Sequence, residues 1–259
     1  MPSWGGILKE LLQSRKPNGQ LDYDLVRRKY LAAHHQYTKR AVFLYATKWT
    51  DVDPEVPPEA ISIADADMQG FMEACYQVPE KKLDLIIHSP GGSLEAAESI
   101  VEYLRARFDD IRVIVPHAAM SAASMISCAA DAIVMGEHSS LGPTDPQFIL
   151  NTALGKRVAP AQAIIDQFEA AKKECQDPKL LAAWLPMLSH FGPDLLIQCA
   201  NASTLSRDLV QKWLTTYMFK GAADATQKAT AVADWLANHN AFKSHGRHIG
   251  RKELEAKGL

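Results

Sequence analysis

A parallel α/β sheet is the fold class this sequence predicts, and three observations predict it. Leu83-Asp84-Leu85-Ile86-Ile87 and Ile111-Arg112-Val113-Ile114-Val115 are short, apolar and rich in β-branched residues, as strands inside a parallel sheet are. Each runs through a turn into a helical pattern. The first turn is His88-Ser89-Pro90-Gly91-Gly92-Ser93 and the second Ala119-Met120-Ser121-Ala122-Ala123-Ser124. A third strand candidate, Ala132-Ile133-Val134-Met135, follows the second helix. Strand, helix, strand, helix, strand requires parallel neighbours joined by right-handed crossovers.

Taken in order, residues 7–36 read as helical, interrupted by Pro17-Asn18-Gly19, and Ala41 to Tyr45 is a strand candidate. Asp51 to Pro58, with prolines at 54, 57 and 58, is expected to be a surface loop. Ile61 to Tyr76 reads as a strand end and then a helix. After Gly92, Ser93 is a suitable N-cap for a helix. That helix buries Leu94, Ala97, Val101, Leu104 and Phe108, with Glu95, Glu98, Glu102 and Arg105 on its other side. Phe148-Ile149-Leu150 is a last strand candidate, followed by an expected loop through Gly155-Lys156-Arg157. Helices are expected near 161–176, 179–190, 194–219 and 223–238, broken at Pro178, Pro186 and Gly192-Pro193. The chain divides into an α/β core with an N-terminal helical segment over 1–155 and a helical part over 156–259.

At 259 residues and 47% apolar, the chain has ample material for a large core. A net charge of −2 gives no general reason to expect nucleic acid. Cys75, Cys128, Cys175 and Cys199 form no Cys-x-x-Cys pair, so they read as reduced thiols of a cytoplasmic protein, with Cys128 a small buried hydrophobe. No signal peptide and no apolar run of membrane-spanning length is visible. Phosphate-loop and dinucleotide-binding glycine patterns are absent, and no cofactor is expected. His245-x-x-His248 lacks nearby acidic or thiol partners for a metal.

In parallel sheets ligands sit beyond the carboxyl ends of the strands, where both turns lie. Pro90-Gly91-Gly92 leaves amides unshielded by a Cβ, and Ser121 opens a helix whose first N–H groups are free. Gly91, Gly92 and Ala122 thus offer N–H donors to one oxyanion with the Ser121 hydroxyl beside them, an acyl-transfer site in outline. Ser124 is the rival nucleophile. An ordinary N-cap role for Ser121 is the plain alternative.

The motifs Leu83 to Gly92, Val115 to Ala122 and Leu141-Gly142-Pro143-Thr144-Asp145-Pro146-Gln147, in this order, resemble the Clp-protease/crotonase superfamily. Within it the chain is similar to signal peptide peptidase A and to the serine dehydrogenase proteinases, a Clp-fold serine peptidase family. Asp131, ten residues after Ser121, and Ser140-Leu141-Gly142 carry the first of these likenesses. The resemblance implies a Clp/crotonase-like fold with a parallel sheet of repeated ββα units. It also implies a peptide or protein substrate, Ser121 as nucleophile, and a homo-oligomer in which a neighbouring subunit can supply a missing group.

The general base stays open. Relatives of signal peptide peptidase A use a lysine, but the matching place near Pro160-Ala161-Gln162 holds none. Lys156 is the nearest in that loop, while Lys172 and Lys173 read as solvated. The Clp proteolytic subunit uses a histidine where this chain has Asp145, which can orient a base, bind a substrate amide or make an Asx-turn before Pro146. His88, His117 and His138 flank the expected cleft, and His117 lies four residues before Ser121. His245, Arg247 and His248 form a basic cluster that can bind a carboxylate, touch another subunit or be a solvated tail. His34-His35 reads as inert. Two alternatives to a serine peptidase remain: a crotonase-like acyl-CoA enzyme and a scaffold that has lost its base.

Overall fold

The computed structural model describes residues 3–152, 155–188 and 191–259. Two helices, α1 (Trp4–Gln13) and α2 (Tyr23–Thr38), precede strand β1 (Ala41–Ala46). A 3₁₀ turn at Pro58–Ile61 leads to α3 (Asp67–Ala74). The strand-helix units then follow as β2 (Lys82–His88), α4 (Leu94–Arg107), β3 (Asp110–Val115), β4 (Ala118–Ala119), α5 (Ala122–Cys128), β5 (Ala132–Met135) and β6 (Ser140–Leu141). A hairpin, β7 (Gln147–Thr152) and β8 (Gly155–Pro160), replaces the loop expected at 155–157, pairing Leu150 with Arg157 and Asn151 with Lys156. Beyond it come α6 (Ala161–Glu174), α7 (Pro178–Leu188), α8 (Leu195–Thr216), α9 (Ala225–Leu236), α10 (His239–Phe242), β9 (Ile249–Gly250) and α11 (Arg251–Glu255).

The main sheet is parallel throughout, in the order β1-β2-β3-β5. This is the mixed α/β architecture with a helical C-terminal region that the strand-helix pattern predicts. Leu83, Leu85, Ile87, Val113 and Val115 are fully buried in one cluster with residues of α4 and α5, whereas Arg112 and Ile114, alternating with them on β3, are only half-buried. Ser93 caps α4, its Oγ accepting from Ala96 N at 3.1 Å. Arg105 departs from its expected solvent side: it is nearly buried, donates to Ala129 O and pairs with Asp131 at 2.7 Å. Asp131 also accepts from Ile111 N, so it staples β3 to the start of β5.

Three short strands, β4, β6 and β9, make a second sheet, in which β9 is antiparallel to β6. The helices after 195 are not an appendage to the core. Leu209, Val210, Trp213, Leu214, Val232, Leu236 and Phe242 pack in one hydrophobic cluster with the residues of β2, β3, α4 and α5. A smaller cluster under the hairpin joins Ala161, Ile164 and Cys199 to Phe148 and Leu150.

Candidate active site

The two turns singled out by sequence meet at the carboxyl edge of the sheet. The register puts Ser89 in a parallel bridge with Ala119, with Met120 N donating to Ser89 O at 2.9 Å. Gly91 then lies flat against the second turn. A Cβ built on Gly91 would stand 2.6 Å from Met120 O, 2.7 Å from Ser121 Cβ and 3.0 Å from Ala122 N. Only glycine fits there, and its φ of +97° is one glycine adopts without penalty.

Ser121 stands at the N-terminus of α5 but does not act as its cap, making no side-chain capping bond. Its backbone has φ 51° and ψ −120°, a conformation that costs a non-glycine residue roughly 1–3 kcal/mol. Nucleophile elbows place a serine on a strained strand-to-helix turn of this kind. Ser124, the rival serine, is held by its own bonds. It is fully buried, donates to Ala119 O at 2.6 Å and accepts from Gly142 N at 2.8 Å, tying α5 to the loop after β6.

The amides around Ser121 divide by use. Gly91 N donates to Ser89 Oγ at 3.1 Å, and Gly91 O accepts from Ile63 N. The parallel bridge between Ile63 and Gly92 turns Gly92's own N–H and C=O away from the 62–64 segment. Among the described residues neither Gly92 N nor Ala122 N has a hydrogen-bond partner. Both residues line a cleft of about 400 Å³ with Ser121. Its walls include Leu94, Met125, Phe148 and Leu205, and His245 closes one side.

His245, which sequence leaves open as a carboxylate binder, a subunit contact or part of a solvated tail, lines this cleft. Its Nδ1 donates to Asp145 Oδ1 at 2.8 Å, and Asp145 is buried at 3% exposure. Of the roles left open for Asp145, an Asx-turn is not among the bonds its carboxylate makes. Its carboxylate also accepts from His239 Nδ1 at 2.8 Å and from Gln147 Nε2 at 3.0 Å. Thr144 N donates to Leu236 O, and Ser206 Oγ to Thr144 O, so α8 and α9 fix the loop that carries the carboxylate.

The other basic candidates lie elsewhere. Lys156 is exposed on β8 and does not line the cleft. His117 is exposed, its ring 5.3 Å from that of His88. Burial pushes the His88 imidazole down, and its Nδ1 is engaged with Ala118 O. His138 Nε2 bonds Pro116 O, and His248 Nδ1 bonds Ser140 Oγ at 2.6 Å. Among the described residues no group of three or more His, Cys, Asp or Glu side chains is placed to hold a metal ion. No helix among them is long and apolar enough to cross a membrane.

Residues 60–185 match the family model of the ClpP-like SDH-type serine proteinases. The match spans just under half of the chain, and over this segment the chain is similar to that family. The SDH-type segment holds Gly91, Gly92, Ser121, Ala122 and Asp145 but ends before His239 and His245. Two uncharacterized proteins of Methanocaldococcus jannaschii are similar to the chain. MJ0137 is 40% identical over 117 residues, 45% of this chain and 39% of its own length. MJ1495 is 35% identical over 116 residues, 44% of this chain and 37% of its own length. The chain therefore spans well under half the length of these two relatives. Among solved structures, the ClpP protease catalytic domain from Plasmodium falciparum aligns with 44% of this chain and 62% of its own, at 13% identity and a TM-score of 0.31. A serine-to-alanine mutant of the 1510-N membrane-bound stomatin-specific protease aligns with 76% of this chain and 72% of its own, at 14% identity and a TM-score of 0.45.

Proposed function

We propose that the chain is a serine peptidase in which Ser121 is the nucleophile, His245 the general base and Asp145 the residue that orients it. The observation that carries this reading is the His245–Asp145 pair on the cleft that strained Ser121 opens onto. With Nδ1 committed to a buried carboxylate, His245 keeps Nε2 as its proton-accepting atom. A triad is recognised by such roles and not by chain order.

Ser121 Oγ attacks the scissile carbonyl as His245 takes its proton. The oxyanion that forms is held by the unpaired N–H groups of Gly92 and Ala122, and His245 then protonates the departing amine. Water repeats the sequence in reverse to release the acid. The Asp145 carboxylate steadies the imidazolium. Gly91 sets the approach of the two turns, its own N–H being spent on Ser89.

The test is a fluorophosphonate probe on the full chain. Wild-type protein is expected to be labelled at Ser121, the Ser121→Ala variant not at all, and His245→Ala about 10⁴-fold more slowly. Lys156→Ala is expected to react at the wild-type rate. A loss of labelling in that variant, with His245→Ala unimpaired, would replace the triad with a serine-lysine pair. An unlabelled wild type that binds acyl-CoA would instead favour a crotonase-like enzyme, where the same amides hold a thioester enolate.

A further inference from the structure

Asp145 carries two imidazoles, and the mechanism uses only one. His245 lines the cleft; His239 does not, and it is 14% exposed behind the carboxylate. Both reach Asp145 from a single short stretch of chain. His239 opens α10, the helix stops at Lys243 in a left-handed conformation (φ 64°), and the chain then returns to present His245. One Nδ1 takes Oδ2 and the other Oδ1, each at 2.8 Å.

We propose that His239 is a positioning residue for the reaction: it holds the Asp145 carboxylate in the plane from which Oδ1 meets His245. The inference rests on the peptidase reading above. The terminal torsion of an aspartate is broad, so a carboxylate tied at one oxygen can swing. A donor on the second oxygen removes that freedom. Gln147 Nε2 also reaches Oδ2, but it bonds Asp145 O and Pro146 O as well, at 3.4 Å each, and is a diffuse restraint. Around Asp145 the titratable partners are His239 and His245 alone among the described residues. The nearby Asp166 of α6 is taken by Asn240 and Gln162.

The test separates position from mere folding by measuring fluorophosphonate inactivation of the full chain as a maximal rate and a half-saturating concentration. His239→Leu is expected to lower the maximal rate roughly 10–100-fold, the range for a small misplacement of a catalytic group. The half-saturating concentration should stay within about twofold. His239→Asn, whose amide nitrogen falls near the position of Nδ1, is expected to restore the rate to within about threefold of wild type. A His239→Leu variant that folds and reacts at the wild-type rate would overturn the proposal, as would an asparagine variant no faster than leucine. Should the leucine variant fail to fold, His239→Gln decides. Its donor sits on a longer arm, so a slow reaction supports the role and a wild-type rate overturns it. Wild-type protein that never labels at Ser121 would defeat the peptidase reading itself, whereas labelled wild type with an indifferent His239 defeats only this inference.

Discussion

Ser121 holds its φ of 51° with no capping bond to compensate, so the strain is retained for something other than stability. Ser121→Gly is therefore expected to raise the unfolding free energy by about 1 kcal/mol while ending probe labelling, a pair of outcomes that thermal melts and mass spectrometry check together. Gly91→Ala should instead lower the unfolding free energy, and should likewise end labelling. Its new methyl meets backbone at 2.6 Å, and the two turns must part, at a cost of roughly 1–3 kcal/mol. At this scale the sequence was informative wherever chemistry depends on neighbours in the chain. Pro90-Gly91-Gly92 and Met120-Ser121-Ala122 announce their geometry because a turn is local. His245 could not announce itself, since nothing in Ser244-His245-Gly246 refers to a carboxylate 100 residues earlier.

Among the elements, β2 shows what an apolar run can hide. Asp84 sits within Leu83-Asp84-Leu85 and is fully buried, facing Arg112 on β3, Arg40 before β1 and His34 on α2. His34, read from sequence as inert, is one of its bonds at 2.7 Å. Burial by itself pushes the Asp84 carboxyl up. Hydrogen bonds from Arg112 and His34, with the charges of Arg112 and Arg40, outweigh it and hold the group below its ordinary value. Because the folded pKa is the lower one, this stability is present above the unfolded value near 3.9 and is lost as pH falls towards the folded pKa. Acid unfolding of Asp84→Ala should accordingly be shallower below about pH 4 than that of wild type. At neutral pH the same variant is expected to lose roughly 3–5 kcal/mol, because Arg112 is left without its carboxylate and Arg40 keeps only that of Asp110. Urea melts at both pH values measure it. The hairpin at 147–160 was half legible for a related reason. Phe148-Ile149-Leu150 is apolar enough to read as a strand, whereas Gly155-Lys156-Arg157 is polar and exposed, and its strand character comes only from its partner.

Across the whole molecule, the α/β order was readable because alternating strand and helix patterns admit few topologies. The place of the C-terminal helices was not, since an amphipathic face names no partner. Trp213, 2% exposed, joins α8 to the cluster that contains β2 and β3, so Trp213→Ala is expected to cost roughly 3–5 kcal/mol and to broaden unfolding of the entire chain. If calorimetry instead shows residues 1–155 melting unchanged and separately, the two parts are independent.

The nucleophile precedes its base by 124 positions in the chain. On the proposed mechanism, a polypeptide still emerging from a ribosome displays Ser121 long before the imidazole that would arm it exists. Synthesis thus works as a safety catch.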